Sequence, residues 1–188
     1  MKKIHFSNKY GLRQAVMSRR KTMTRRFTND GTTCGCRSET TKSLRYQVGE
    51  VVAITQSYKS IIEEEEEING VLGLYRIGQK YLTMDEMGAG WRNKLFVRAD
   101  LMPHHIRITD VKIDRLQDIS DIECFKEGIV DYSTPTEKRY GYADFEREPI
   151  FVFWTPREAF ASLIDKISGK GTWKRNPYVE AYEFDLID

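Results

Sequence analysis

Five cations fall within eight positions in Arg19-Arg20-Lys21-Thr22-Met23-Thr24-Arg25-Arg26. Cations at that density can neutralise the phosphates of a nucleic-acid backbone, and the hydroxyls of Thr22 and Thr24 can bond phosphate oxygens or base edges. The plainer alternative is a solvated helix end whose cations complement the helix dipole. Against it, Lys21, Arg25 and Arg26 lie beyond any helix end that the surrounding sequence allows. A loop that holds this much like charge together is better read as a contact site than as decoration.

Other chemistries find no residues. There is no glycine-rich phosphate loop ending in Gly-Lys-Ser/Thr, no dinucleotide fingerprint after a strand and no His-Glu-x-x-His. Cys34-Gly35-Cys36 together with His104-His105 can be drawn as a zinc set, but one intervening residue is shorter than the usual finger spacing and adjacent histidines on a strand point apart. No metal and no cofactor is expected. Three cysteines, Cys34, Cys36 and Cys124, make no disulfide framework. The longest apolar runs, such as Ile150 to Trp154, are strand-sized, and Met1-Lys2-Lys3-Ile4-His5-Phe6 has no apolar stretch after its basic start. The expectation is a cytoplasmic protein with no membrane contact.

The 188 residues carry a formal net charge of +2, but the total conceals an asymmetry. Residues 1–48 hold twelve basic and two acidic residues, a net of +10, leaving 18 basic and 26 acidic residues, or −8, in the rest. Such a dipole along the chain points to a polyanion contact, unless the two parts interleave in space and their fields cancel. Aromatic content of 12% and hydrophobic content of 40% are enough for a core and exclude a disordered chain. By length this is one domain, 1–188.

The elements around the basic segment can be read from periodicity and caps. Ile4 to Phe6 reads as a strand, and a helix capped at Ser7 or Asn8 places Leu12, Ala15 and Val16 on one face and ends near Ser18. The segment 19–27 looks too charged for a buried strand and leads into a polar loop from Thr28 to Leu44. Val51 to Thr55 and Leu95 to Ala99 read as strands, with residues 59–93 as an insertion between them, and the Glu63–Glu67 run as a solvated face. His105 to Leu116 is a long strand whose alternation shifts at Thr109-Asp110, as at a bulge or a tight bend. Ser120 caps a short helix from Asp121 to Glu127 that stops at Gly128. Thr155-Pro156-Arg157-Glu158 starts a second helix ending at Gly169, with 131–154 as a further insertion, and Tyr178 to Leu186 alternates as a closing strand. Short strands dominating the centre predict an α+β fold, a small β-barrel decorated by helices.

Several of these residues together resemble a known family. Arg20-Lys21-Thr22-Met23-Thr24-Arg25-Arg26 after a short amphipathic helix resembles the Gly-x-Lys-Thr-x-Thr-x-Arg signature of ASCH domains in the PUA-like superfamily, with Arg19 standing where the family has glycine. Tyr46-Gln47-Val48-Gly49-Glu50-Val51-Val52 is similar to its Tyr/Phe-x-x-Gly-Asp/Glu element, Arg107 to Ser120 to its strand followed by a helix, Glu127-Gly128 to the end of that helix, and Trp173 to Phe184 to its closing strand. The resemblance looks closest to proteins of this type carried by phages and prophages.

That resemblance implies two functions. As a binding module, the domain contacts RNA or a modified nucleotide, with Arg19, Arg20, Lys21, Thr22, Arg25 and Arg26 on the backbone and Tyr46 or Trp91 stacking on a base. As an enzyme, it is an amidohydrolase on acetylated cytidine-type nucleosides, with Lys21, Thr24 and Glu127 carried over as the catalytic residues. A threonine hydroxyl needs a base to become a nucleophile, and a desolvated lysine can have the lowered pKa that this requires. A third reading makes the acidic 59–70 segment a docking surface for a protein partner.

Overall fold

In the computed structural model, which describes residues 1–28, 44–64, 70–71, 73–144 and 150–188, and only the backbone of residues 70 and 71, the chain divides into two units. In chain order the elements are β1 (Lys2–Ile4), α1 (Leu12–Met17), β2 (Met23–Phe27), β3 (Val51–Ile54), α2 (Tyr58–Glu64), β4 (Gly70–Val71), β5 (Leu74–Ile77), β6 (Lys80–Thr83), α3 (Met84–Met87), β7 (His105–Arg115), α4 (Asp121–Lys126), β8 (Val130–Asp131), β9 (Tyr140–Ala143), β10 (Ile150–Phe153), α5 (Pro156–Ser168), α6 (Thr172–Arg175) and β11 (Tyr178–Leu186). The Glu63–Glu67 run leaves the described residues after Glu64, and Cys34, Cys36 and most of the Thr28–Leu44 loop also lie outside them.

The first unit comprises residues 1–6, 51–107 and 187–188. β1 lies parallel to β3, which pairs antiparallel with the first residues of β7. Ala53 joins Tyr58, Ile61, Ile77 and Val97 in a buried cluster, against which Trp91 packs partly buried. Gly90 is needed here because a Cβ would sit 2.6 Å from the Tyr58 ring. The strand expected over Leu95–Ala99 is a turn instead. Leu95 and Phe96 are exposed while Val97 is buried, and the Leu95 and Val97 carbonyls accept from the Lys3 ammonium at 3.1 and 2.9 Å, which leaves them no strand partner.

The second unit comprises residues 7–50 and 108–186. β11 lies between β7 and β2, and its antiparallel register with β2 sets Tyr182 opposite Thr24 and Glu180 opposite Arg26. The charged 19–27 segment therefore does form a strand, with Met23, Thr24 and Arg25 buried, contrary to the reading from its charge. β8, β9 and β10 form a second antiparallel sheet, in which Tyr142 stacks on Phe151 and Phe153. Both helix starts follow their expected caps: Ser120 and Thr155 each accept from the backbone of a glutamate three residues on, whose carboxylate returns to the cap N–H. β7 runs on to Arg115, and Ile113 is exposed, so its distal half buries no second apolar face.

The fold is α+β, but its sheets are not closed into a barrel. In the first unit β1 pairs with β3, and in the second β2 pairs with β11. Among the described residues no helix is long and apolar enough to cross a membrane.

Candidate functional site

The basic segment begins where α1 ends. Beyond Ser18 the backbone turns back so that the Arg20 and Lys21 N–H groups reach the Ala15 carbonyl at 2.9 and 2.8 Å and close the helix end. Arg19 makes that turn with φ 58, a left-handed conformation that favours glycine. Its guanidinium donates to the Leu186 carbonyl at 2.9 Å, which holds a non-glycine residue in place there. Arg19 and Arg20 are both exposed, and Thr22 is half-buried. The Thr22 backbone is clamped by the Lys126 carbonyl and the Phe184 N–H, both at 2.9 Å, so β2 starts from a fixed point.

From there, alternation sorts the side chains onto two faces. Lys21 and Arg25 turn toward α4. The Lys21 ammonium, 2% exposed, donates to the Met23 carbonyl at 2.7 Å, the Glu127 carbonyl at 2.8 Å and Glu127 Oε2 at 2.6 Å. Arg25 donates to Glu127 Oε1 at 3.2 Å and to Glu123 Oε2 at 3.1 Å, and Glu123 Oε1 takes Lys112 at 2.6 Å. The result is a chain of alternating charges from buried Lys21 to exposed Lys112. Burial pushes the Lys21 ammonium below its ordinary pKa, while Glu127 works to keep it charged.

Burial alone would raise the Glu123 carboxyl, but Lys112, the Ser120 N–H of the helix cap and Arg25 outweigh it and hold it at about 2. Because this carboxyl lies below its unfolded value, its stabilising contribution is complete above pH 4.5 and is lost as pH falls toward 2. Acid titration followed by circular dichroism should therefore show wild type losing stability between those limits. Glu123→Gln should be less stable at neutral pH and should show less further loss over that window. Parallel curves for the two proteins would contradict the assignment.

The opposite face of β2 carries Thr24 and Arg26. Thr24 is buried across from Tyr182, and its hydroxyl makes no hydrogen bond to any described residue. Arg26 is half-buried across from Glu180. The Tyr182 hydroxyl donates to Glu180 Oε2 and accepts from the Tyr46 N–H at 3.2 Å, and the two tyrosine rings meet edge-on at 5.2 Å. Tyr46 is 4% exposed, so its ring lies inside the unit. Burial raises the pKa of both tyrosine hydroxyls, so both are neutral donors.

Of the residues singled out from sequence, Lys21, Arg25 and Glu127 converge, Thr24 and Arg26 share the other face of the same strand, and Arg19 and Arg20 stand outside. Glu123, Lys112, Glu180 and Tyr182 escaped the sequence reading. Glu123 was legible as a capping residue, and nothing in its spacing shows that the same carboxylate holds Arg25. Among the described residues no cluster of three or more His, Cys, Asp or Glu could hold a metal ion.

No family model and no curated protein matches the chain. Among solved structures, an ASCH domain from Lactobacillus crispatus JV V101 is similar at 10% identity, covering 96% of this chain and 75% of that chain, with a TM-score of 0.38. At that score the likeness carries no argument about function.

Proposed function

We propose that the chain is an ASCH-type, PUA-like domain of the phage and prophage kind that binds RNA or a modified nucleotide through the segment 19–26. The observation that carries this reading is the sorting of the five cations. Lys21 and Arg25 are buried and balanced by Glu123 and Glu127, whereas Arg19 and Arg20 project from a turn that hydrogen bonds fix on both sides. A buried, paired ammonium releases no counterion when a phosphate arrives, so the phosphate contact falls to the exposed arginines and to half-buried Arg26.

Single-stranded RNA binding measured across a salt series tests this. Arg19→Gly/Arg20→Ala, which leaves the left-handed turn relaxed, should weaken binding and reduce the slope of log K against log salt by about 1.4, at about 0.7 per phosphate. An unchanged slope and affinity would sink the reading.

One observation favours a second reading. The Lys21 amine, depressed by burial, lies 2.6 Å from Glu127, and the resemblance assigns these two with Thr24 to hydrolysis of acetylated cytidine. In that assignment Lys21 is the base to the Thr24 hydroxyl and Glu127 orients or protonates the leaving amine, which requires Lys21 to exchange its three acceptors for Thr24 on the opposite face of β2. The same preparation should release acetate from acetylcytidine, with loss of release in Lys21→Ala. No turnover in wild type removes this reading and leaves the first intact.

A further inference from the structure

A second cationic surface lies in the part of the chain whose net charge is −8. Residues 115–119, which close β7, are joined to residues 173–177 by four hydrogen bonds: Leu116 N–H to the Pro177 carbonyl at 2.9 Å, Gln117 N–H to Asn176 Oδ1 at 2.8 Å, Gln117 Nε2 to the Trp173 carbonyl at 2.8 Å, and the Arg115 guanidinium to the Asn176 carbonyl at 3.1 Å. From α5, Arg157 reaches the same corner and donates to the carbonyls of Ile119, at 2.9 Å, and Gln117. Asn176 turns the chain with φ 47 between α6 and β11.

Four cations and two aromatic rings converge on this frame. The Arg115 guanidinium lies over the Tyr178 ring at 3.8 Å, and Arg157 lies 5.3 Å from the Trp173 ring centre. Lys174 and Arg175 are exposed on α6. Among the described residues none of these four cations pairs with a carboxylate: Arg115 and Arg157 donate to backbone carbonyls, and Arg175 to the Thr172 hydroxyl at 2.8 Å. The nearby acids are otherwise engaged or fewer. Asp165 accepts the Gly171 and Trp173 N–H groups, Glu158 closes the Thr155 cap, and exposed Asp118 remains. Arginines anchored to carbonyls and held over aromatic rings keep their charge and carry a planar guanidinium, on which an unstacked base can stack. Adjacent free cations suit the phosphates on either side of it. The hydrogen-bonded frame sets this arrangement before any ligand arrives.

We propose that this corner is a second contact surface for single-stranded nucleic acid, with Lys174 and Arg175 on the backbone phosphates and the Arg115–Tyr178 stack as a base platform. It goes beyond the reading of the 19–26 segment, and it can stand or fall separately. The test is fluorescence anisotropy of the full chain with a fluorescein-labelled oligouridylate across a salt series. Lys174→Glu/Arg175→Glu should raise Kd about tenfold or more and reduce the salt slope by about 1.4. Tyr178→Leu should weaken binding about tenfold with the slope unchanged. Lys59→Glu/Lys138→Glu, two exposed positions with the same change in net charge, is the control, and circular dichroism checks that each variant is folded. If the Lys174/Arg175 variant binds like this control while Arg19→Gly/Arg20→Ala loses affinity, the corner is overturned and the first reading survives. The reverse pattern upholds the corner and removes the first reading. Wild type that fails to bind oligouridylate, or that binds an acidic peptide in its place, overturns the corner.

Discussion

Glu127→Leu is expected to lower the stability of the protein by about 3–5 kcal/mol. In wild type, Lys21 is enclosed with Glu127 Oε2 at 2.6 Å, and both side chains are almost wholly out of water, at 1% and 6% exposure. Removing the carboxylate leaves an ammonium with two backbone carbonyls and no counter-charge, and leaves Arg25 with Glu123 alone. The lysine can respond by losing its proton, which limits the cost at high pH and not at low pH. Urea denaturation at neutral pH measures the loss. Lys21→Met/Glu127→Leu should recover most of it, because an apolar pair of similar volume avoids the desolvation of both ions. A single-variant loss below about 1 kcal/mol would show that the pair adds little to folding and is open to water.

Gly141→Ala is expected to cost about 3 kcal/mol or more, which lowers Tm by roughly 6 °C or more in a chain of this length. Gly141 is in the middle strand of the β10-β9-β8 sheet, paired with Val152 on one side and Val130 on the other. A Cβ there would lie 1.9 Å from the Phe151 carbonyl oxygen and 3.3 Å from the Val152 Cα, both backbone atoms that no side-chain rotation can move aside. The clash should separate β10 from β9 and disturb the stack of Tyr142 between Phe151 and Phe153. Thermal unfolding within 1–2 °C of wild type would mean that this sheet is pliable and that the close approach of the two strands is not needed.

How much of this was legible from the residues depends on which force set each element. The caps at Ser120 and Thr155, the stop at Gly128 and the extent of β11 are local, and the sequence states them directly. In β2 the charge density of the sequence points to solvent, yet the first three residues of the strand are buried. Its burial depends on Glu123 and Glu127, a hundred residues away, and no local pattern shows that pairing. Leu95 to Ala99 has strand composition, but Lys3 and the Arg98 N–H contact to Tyr58 engage its backbone, so tertiary contact overrode propensity. Barrel closure was likewise a long-range inference from strand count. For the site, the convergence of Lys21 with Glu127 follows the resemblance, whereas Glu180 and Tyr182 read only as alternate positions on a strand. The hydrogen bond from Tyr182 to Glu180 and the Tyr46 N–H contact to Tyr182 are side-chain contacts that strand alternation does not show.

The double duty of Glu123 also bears on motion. At six residues α4 is too short to persist by its own propensity, so its survival rests on its cap and its neighbours. The carboxylate that closes the cap also holds Arg25 and Lys112, and the helix ends at Glu127, the partner of Lys21. Fraying of α4 therefore cannot be a private event of one helix. Each opening releases the guanidinium and uncovers the lysine together, making the interior of the basic segment accessible in one cooperative step rather than residue by residue.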